Sequence, residues 1–141
     1  MYDPDPHASS GEALLIVAHN PRYELLYDYS TNRVYLTVKG FWKNPEIVPQ
    51  YLDDVQKALR MAKTGFSLLL DLRTMLTHPL RLSSLHIKAR NMMQEAGPGK
   101  AAQVFPSDRI ATLQVEEISG KTTLEAMTFT SIQKAKAWLN A

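Results

Sequence analysis

The chain has 141 residues, enough for one domain, and 45% of them are hydrophobic, which is typical of a globular protein rather than a disordered one. It contains no cysteine, which excludes disulfides, thiolate metal ligands and cysteine nucleophiles, and favours the cytoplasm. Sixteen basic residues against fourteen acidic ones give a net charge of +2, a balance too even to indicate nucleic-acid binding, and we expect none.

The first twelve residues predict a disordered tail, because they are rich in proline, aspartate and serine. A single domain is expected over residues 13–141. The apolar run 13–18 is too short for a signal-peptide core or a membrane span, so no spanning segment is predicted. This run can instead form an extra edge strand, which Asn20 and Pro21 would end.

A hairpin is predicted next, since residues 23–29 and 34–39 are two short runs of β-forming residues. Asn32 between them tolerates the left-handed conformation of a tight turn. A helix follows, with Asn44 as its N-cap and Pro45 in its first turn. The run 66–72, with three successive leucines, predicts a central strand that is covered on both faces.

The second helix is predicted to begin after the loop 73–82, because Pro79 argues against an earlier start. We expect Ser83 or Ser84 to cap it and the Gly-Pro-Gly sequence at 97–99 to end it. Its expected apolar stripe consists of Leu85, Ala89, Met92, Met93 and Ala96.

The remaining predicted elements alternate between strand and helix. They are a strand over 101–105, a helix from a Ser107 or Asp108 cap to about Ile118, a strand over 123–130 and a last helix capped by Ser131. This alternation predicts an α/β fold with a mixed, mostly parallel sheet of about five strands, an antiparallel edge hairpin and about four helices.

Three stretches match a known pattern: Val38-Lys39-Gly40 at the end of the hairpin, the strand Phe66 to Leu72, and Phe129-Thr130-Ser131 before the helix that contains Ala135 to Leu139. With this element order, the chain resembles the STAS (SpoIIAA-like, anti-sigma-factor-antagonist-like) superfamily, and in particular bacterial members of unassigned role. The resemblance implies a SpoIIAA-like fold and a noncatalytic regulatory or protein-interaction module.

STAS antagonists carry an Asp-Ser-Ser/Thr-Gly motif in which one hydroxyl is phosphorylated. The corresponding residues here are Leu82-Ser83-Ser84-Leu85, so the serine pair is present while leucines replace the aspartate and the glycine. The resemblance therefore implies Ser83 and Ser84 as candidate phosphorylation sites.

The alternative function is a carrier of a small lipophilic or anionic ligand, since a relative of this fold family binds lipids in the CRAL-TRIO manner. Residues that would line such a pocket are Phe41, Trp42, Met92, Met93 and Trp138, although an ordinary core would use the same residues.

Catalytic and metal-binding patterns do not emerge from the sequence. His78 and His86 can converge, but no carboxylate completes a metal set at a recognised spacing, so we expect no metal. We find no combination of nucleophile, base and stabiliser, and expect neither an enzyme nor a cofactor. Residues 97–100 lack the spacing of a phosphate loop and indicate the end of a helix.

A functional surface is predicted at the loop 73–84 and the start of the second helix. Between Arg73 and Arg109 six basic residues face two acidic ones, and a helix start exposes unpaired N–H groups that favour anions. The predicted surface residues are Arg73, His78, Arg81, Ser83, Ser84 and Arg90. We expect them to bind an acidic protein or a small anionic or lipophilic ligand. For Asp71 and Arg73, a local salt bridge is the alternative interpretation.

Overall fold

The computed structural model describes residues 13–141, and the predicted tail, residues 1–12, lies outside the described residues. The strands of the described part are β1 Leu14–His19, β2 Tyr23–Asp28, β3 Arg33–Val38, β4 Ser67–Asp71, β5 Lys100–Val104 and β6 Met127–Phe129. Its α-helices are α1 Tyr51–Met61, α2 Ser83–Glu95, α3 Arg109–Gly120 and α4 Ile132–Asn140.

The strands form one sheet whose spatial order follows the chain, from β1 to β6. β1, β2 and β3 are antiparallel neighbours, and β3, β4, β5 and β6 are parallel neighbours. The predicted α/β fold with a mixed sheet is confirmed, with six strands because the extra edge strand forms as β1. Asn32 occupies the β2–β3 turn with a φ of 53°, as predicted.

Helices cover both faces of the sheet. α1, α2 and α3 pack on one face and α4 packs on the other. Because side chains of a strand alternate between faces, Leu68 and Leu70 of β4 contact the first layer while Leu69 contacts the second. All three leucines are buried, which confirms β4 as a doubly covered central strand.

The helix predicted from Asn44 is divided into two pieces. Asn44 caps a short 3₁₀ helix, Pro45–Ile47, by accepting a hydrogen bond from the Ile47 N–H at 3.2 Å. α1 begins only at Tyr51. Pro49 explains the break, since a residue before proline avoids the helical conformation and proline itself donates no hydrogen bond.

The expected serine cap of α2 is wrong. Ser83 is the first helical residue, Leu82 occupies the cap position, and no side chain caps the helix. A 3₁₀ helix, Leu80–Leu82, leads straight into α2 and replaces a cap. The predicted strand over 123–130 is also shorter than expected, since only Met127–Phe129 pairs with β5.

The caps of the last two helices follow the prediction. Asp108 accepts hydrogen bonds from the N–H groups of Ile110 and Ala111 at the start of α3. Ser131 accepts one from the Lys134 N–H at the start of α4. Each cap satisfies amide groups that the first helical turn leaves without a partner.

Candidate functional site

Carboxylates neutralise two of the predicted surface arginines. Arg73 donates from Nε and Nη2 to the two oxygens of Asp71, at 2.9 and 2.8 Å, which confirms the local salt bridge. Arg81 donates from Nη2 to Glu46 at 3.0 Å. The loop is therefore less positive than its arginine content suggests.

Two other predicted surface residues are buried. His78 is 2% exposed and Arg90 is 6% exposed, so neither contributes to an accessible basic surface, and the expectation of their exposure is wrong. For Arg90 the reason is the orientation of α2. Its buried face consists of His86, Ala89, Arg90 and Met93, which recur at helical spacing and point toward the sheet.

His78 and His86 converge, as the sequence permits, into a buried hydrogen-bonded pair. His78 Nδ1 lies 2.9 Å from His86 Nε2, and His78 Nε2 lies 2.9 Å from the Gly40 carbonyl oxygen. A carbonyl oxygen only accepts, so the network assigns the His78 proton to Nε2. With both rings neutral, His78 Nδ1 then accepts from the His86 Nε2–H, and this bond is lost if both rings become protonated, because neither nitrogen can then accept.

The surroundings of the pair favour the neutral rings. Burial lowers the pKa of His78 below its ordinary value of 6.5. Burial, reinforced by the nearby His78 and Arg90, lowers the pKa of His86 to about 3. Trp42, which is fully buried, stacks on His78 with ring centroids 4.9 Å apart and lies 5.2 Å from the His86 ring. The pair therefore fastens the loop to the core.

Gln114 of α3 holds the same loop from the other side. Its side-chain oxygen accepts from the His78 backbone N–H at 2.8 Å, and its Nε2 donates to the His78 carbonyl oxygen at 2.7 Å. These two bonds fix the distance between the loop and α3.

A groove of about 410 Å³ lies between this loop, the start of α2, and α3. Three apolar side chains that line it are largely exposed: Leu80 at 82%, Ile110 at 65% and Leu113 at 60%. Ile110 and Leu113 are three residues apart and share one side of α3. Ser83 also lines the groove, whereas Ser84 is exposed outside its lining.

The apolar groove residues were not predicted from the sequence, although α3 carried a signal for them. Ala111, Val115 and Ile118 form its buried stripe. Ile110 and Leu113 are further apolar residues of α3 that lie outside this buried stripe. Such an excess on a surface helix indicates a second apolar face.

The cavity inside the core measures about 30 Å³ and lies between the sheet and helices α1, α2 and α3. Of the five residues suggested for a ligand pocket, Met93 alone lines this cavity. Phe41 is half-exposed, and Trp138 packs on the opposite face of the sheet. The five therefore do not converge, and the cavity is far smaller than the roughly 300–1,000 Å³ of small-molecule sites.

Residues 13–141 contain no cluster of three or more side chains suited to holding a metal ion. Within the same range, no helix has the length and apolar character needed to cross a membrane.

The sheet order and the helix layers are those of an α/β domain with a SpoIIAA-like fold. A DUF3478-family protein with this fold from Shewanella loihica is similar in structure, with a TM-score of 0.57 and 10% identity over 86% of this chain and 97% of that chain. SiaC of Pseudomonas aeruginosa is also similar, with a TM-score of 0.54 and 16% identity over 82% of this chain and 98% of that one.

A third similar structure contains SiaC as the activator of the diguanylate cyclase SiaD, in complex with it. The TM-score is 0.52, with 19% identity over 81% of this chain and 97% of that chain. No protein-family model matches the sequence, and no curated protein sequence matches it. At these identities the likeness establishes the fold.

Proposed function

We propose that this protein is a noncatalytic regulatory module of the cytoplasm that binds a partner protein in the apolar groove. The exposed side chains of Leu80, Ile110 and Leu113 around one concave surface carry the proposal. A single exposed leucine is ordinary, but apolar side chains gathered at one groove are typical of an interaction site.

The proposed occupant is an amphipathic helix of the partner. The groove lies between two helical segments, and an apolar helix face is the usual complement of such a groove. At one end Glu117 and Lys121 pair at 3.2 Å and offset each other's charge. With Arg73 and Arg81 also paired, apolar contacts are expected to contribute more to binding than attraction to an acidic partner.

The complex of SiaC with SiaD provides a precedent for this class of function on the same fold. In that complex a SpoIIAA-like protein acts as the activator of an enzyme. We therefore propose that binding by the present protein changes the activity of its partner. The chemistry of the groove, rather than the likeness, defines which surface of the partner fits.

Photocrosslinking tests the proposal directly. A benzophenone amino acid placed at position 113, inside the groove, should capture the partner in the host cell. The same group at position 133, on the exposed side of α4, should not. Equal capture from both positions would contradict the groove as the binding site.

Purified partner then allows affinity to be measured. Leu80→Glu combined with Leu113→Glu should weaken binding by at least about tenfold, since burying one leucine is worth roughly 1.5–3 kcal/mol and 1.4 kcal/mol is tenfold. Met61→Glu is the matched control, because Met61 is an exposed apolar residue at the end of α1, outside the groove lining. An unchanged dissociation constant in the double variant would remove the basis of the proposal.

Phosphorylation of Ser83 is the proposed regulation of this groove. A phosphate there would add about −1.5 to −2 charges to an apolar rim, and we expect it to weaken partner binding. The change Ser83→Glu should reproduce part of this effect, while Ser84→Glu, outside the lining, should leave the dissociation constant unchanged. Titration calorimetry with the captured partner distinguishes the two serines, and equal effects of both would refute the assignment to Ser83.

A further inference from the structure

Arg90 is a buried cation within an apolar layer. It lies on the face of α2 that packs against the sheet, and 6% of its surface is exposed. Its Nη2 donates to the side-chain oxygen of Gln103 in β5 at 2.9 Å. Gln103 is neutral, so this hydrogen bond orients the guanidinium without balancing its charge.

The other terminal nitrogen of Arg90 has no such partner. Nη1 is buried, and none of the described residues accepts a hydrogen bond from it. The ion pairs found among the described residues do not include Arg90 either. A buried charge without a counter-charge is strongly destabilising, which is why buried charges in proteins are normally paired.

Arg90 lines the cavity of about 30 Å³ together with His86 and Tyr51. A single water needs a cavity of roughly 10–15 Å³, so the space holds one or two waters or one small ion. Burial lowers the pKa of Arg90 to about 10, which leaves the side chain charged at neutral pH. The described lining therefore contributes a full positive charge and no carboxylate.

From this geometry we infer that the cavity is a binding site for a small monovalent inorganic anion, of about the size of chloride, held by Arg90 Nη1. The anion supplies the counter-charge that the described residues lack at this position. Phosphate and sulfate are excluded by size and by their second charge, which nothing else in the described lining would offset. The site is separate from the proposed docking groove, because the two linings share only Ile118.

The sharpest test is diffraction from crystals of the full chain soaked in sodium bromide. Bromide replaces chloride and scatters anomalously at its absorption edge. We expect an anomalous peak within hydrogen-bond distance of Arg90 Nη1. Electron density for an ordered water only, with no anomalous signal, would overturn the inference.

Folding equilibria supply a second readout in solution. At constant ionic strength, replacing sodium gluconate by sodium chloride should raise the folding equilibrium constant by the factor 1 + [Cl⁻]/Kd, which is about elevenfold at ten times Kd. Gluconate is too large for the cavity. Urea titrations at several chloride concentrations measure this factor, and an unchanged constant in the unmodified protein would contradict a chloride site.

Arg90→Met should abolish the chloride dependence, because the anion would lose its counter-charge. Arg33→Met is the matched control, since Arg33 is equally buried at 5% exposure but donates to Ser67 and Asn140, both at 2.8 Å. The control should keep the full dependence. The same chloride dependence in all three proteins would overturn the inference, and if Arg90→Met fails to fold, the bromide and chloride results on the unmodified protein decide.

Discussion

Replacing Leu69 with alanine should lower the free energy of unfolding by roughly 2–5 kcal/mol. Leu69 is fully buried in the middle of β4, opposite Tyr35 in β3 and Ala102 in β5. The substitution removes buried apolar surface and leaves a space that the hydrogen-bonded neighbouring strands cannot close. Urea denaturation monitored by circular dichroism measures the loss.

Leu80→Ala is the control for this experiment. Leu80 is 82% exposed, so its truncation should change the free energy of unfolding by no more than about 0.5 kcal/mol. If Leu69→Ala lowered the free energy of unfolding by less than about 1 kcal/mol, neighbouring groups would have to fill the cavity that the substitution leaves. A central strand packed on both faces does not allow this rearrangement.

Elements whose signals lie in neighbouring residues were predictable from the sequence. Asn32 needs only its own backbone preference to form the β2–β3 turn. Asp108 and Ser131 cap helices through amides two or three residues further along the chain. The three successive leucines of β4 predict a strand that is buried on both faces, because no polar residue interrupts them.

The burial of Arg90 and His86 was not predictable in the same way. The expected stripe of α2 relied on apolar residues, and a charged side chain is almost always assigned to the solvent face. The observed face is rotated from that stripe, so that Leu85 and Met92 are only half-buried while Arg90 is inside. This rotation depends on the elements that α2 packs against, including Gln103 of β5, which accepts a hydrogen bond from Arg90, and the sequence does not show which elements these are.

The groove depends on contacts between residues that are distant in the sequence. Gln114 and His78 are separated by 36 positions, and their two hydrogen bonds set the spacing of α3 from the loop. Sequence periodicity assigns a residue to a face of its own helix, but it does not tell which other element lies opposite. The exposed residues Leu80 and Leu113 could therefore not be placed on one surface before the fold was known.

Lowering the pH from 7 to 5 should destabilise the protein by about 2 kcal/mol through His86 alone. In the unfolded chain this histidine titrates near 6.5, whereas burial and two neighbouring basic groups lower its folded pKa to about 3. The stabilisation is complete above about pH 6.5 and is lost as the pH falls toward 3. The reason is that in this range His86 binds a proton in the unfolded chain but not in the folded protein. The pKa of His78 is lowered as well, so it contributes in the same direction.

The substitution His86→Gln should distinguish the effect of protonating His86 from the effect of lost core packing. A glutamine amide can still donate to His78 Nδ1, but it does not titrate, so the pH slope of stability should decrease by up to about 1.4 kcal/mol per pH unit. Met93→Ala, a buried change on the same face of α2, should cost roughly 2–5 kcal/mol yet keep the slope of the unmodified protein. Urea titrations between pH 7 and pH 5 give all three slopes. If His86→Gln kept the original slope, acid would destabilise the fold through other groups, and the lowered pKa of His86 would not account for the loss.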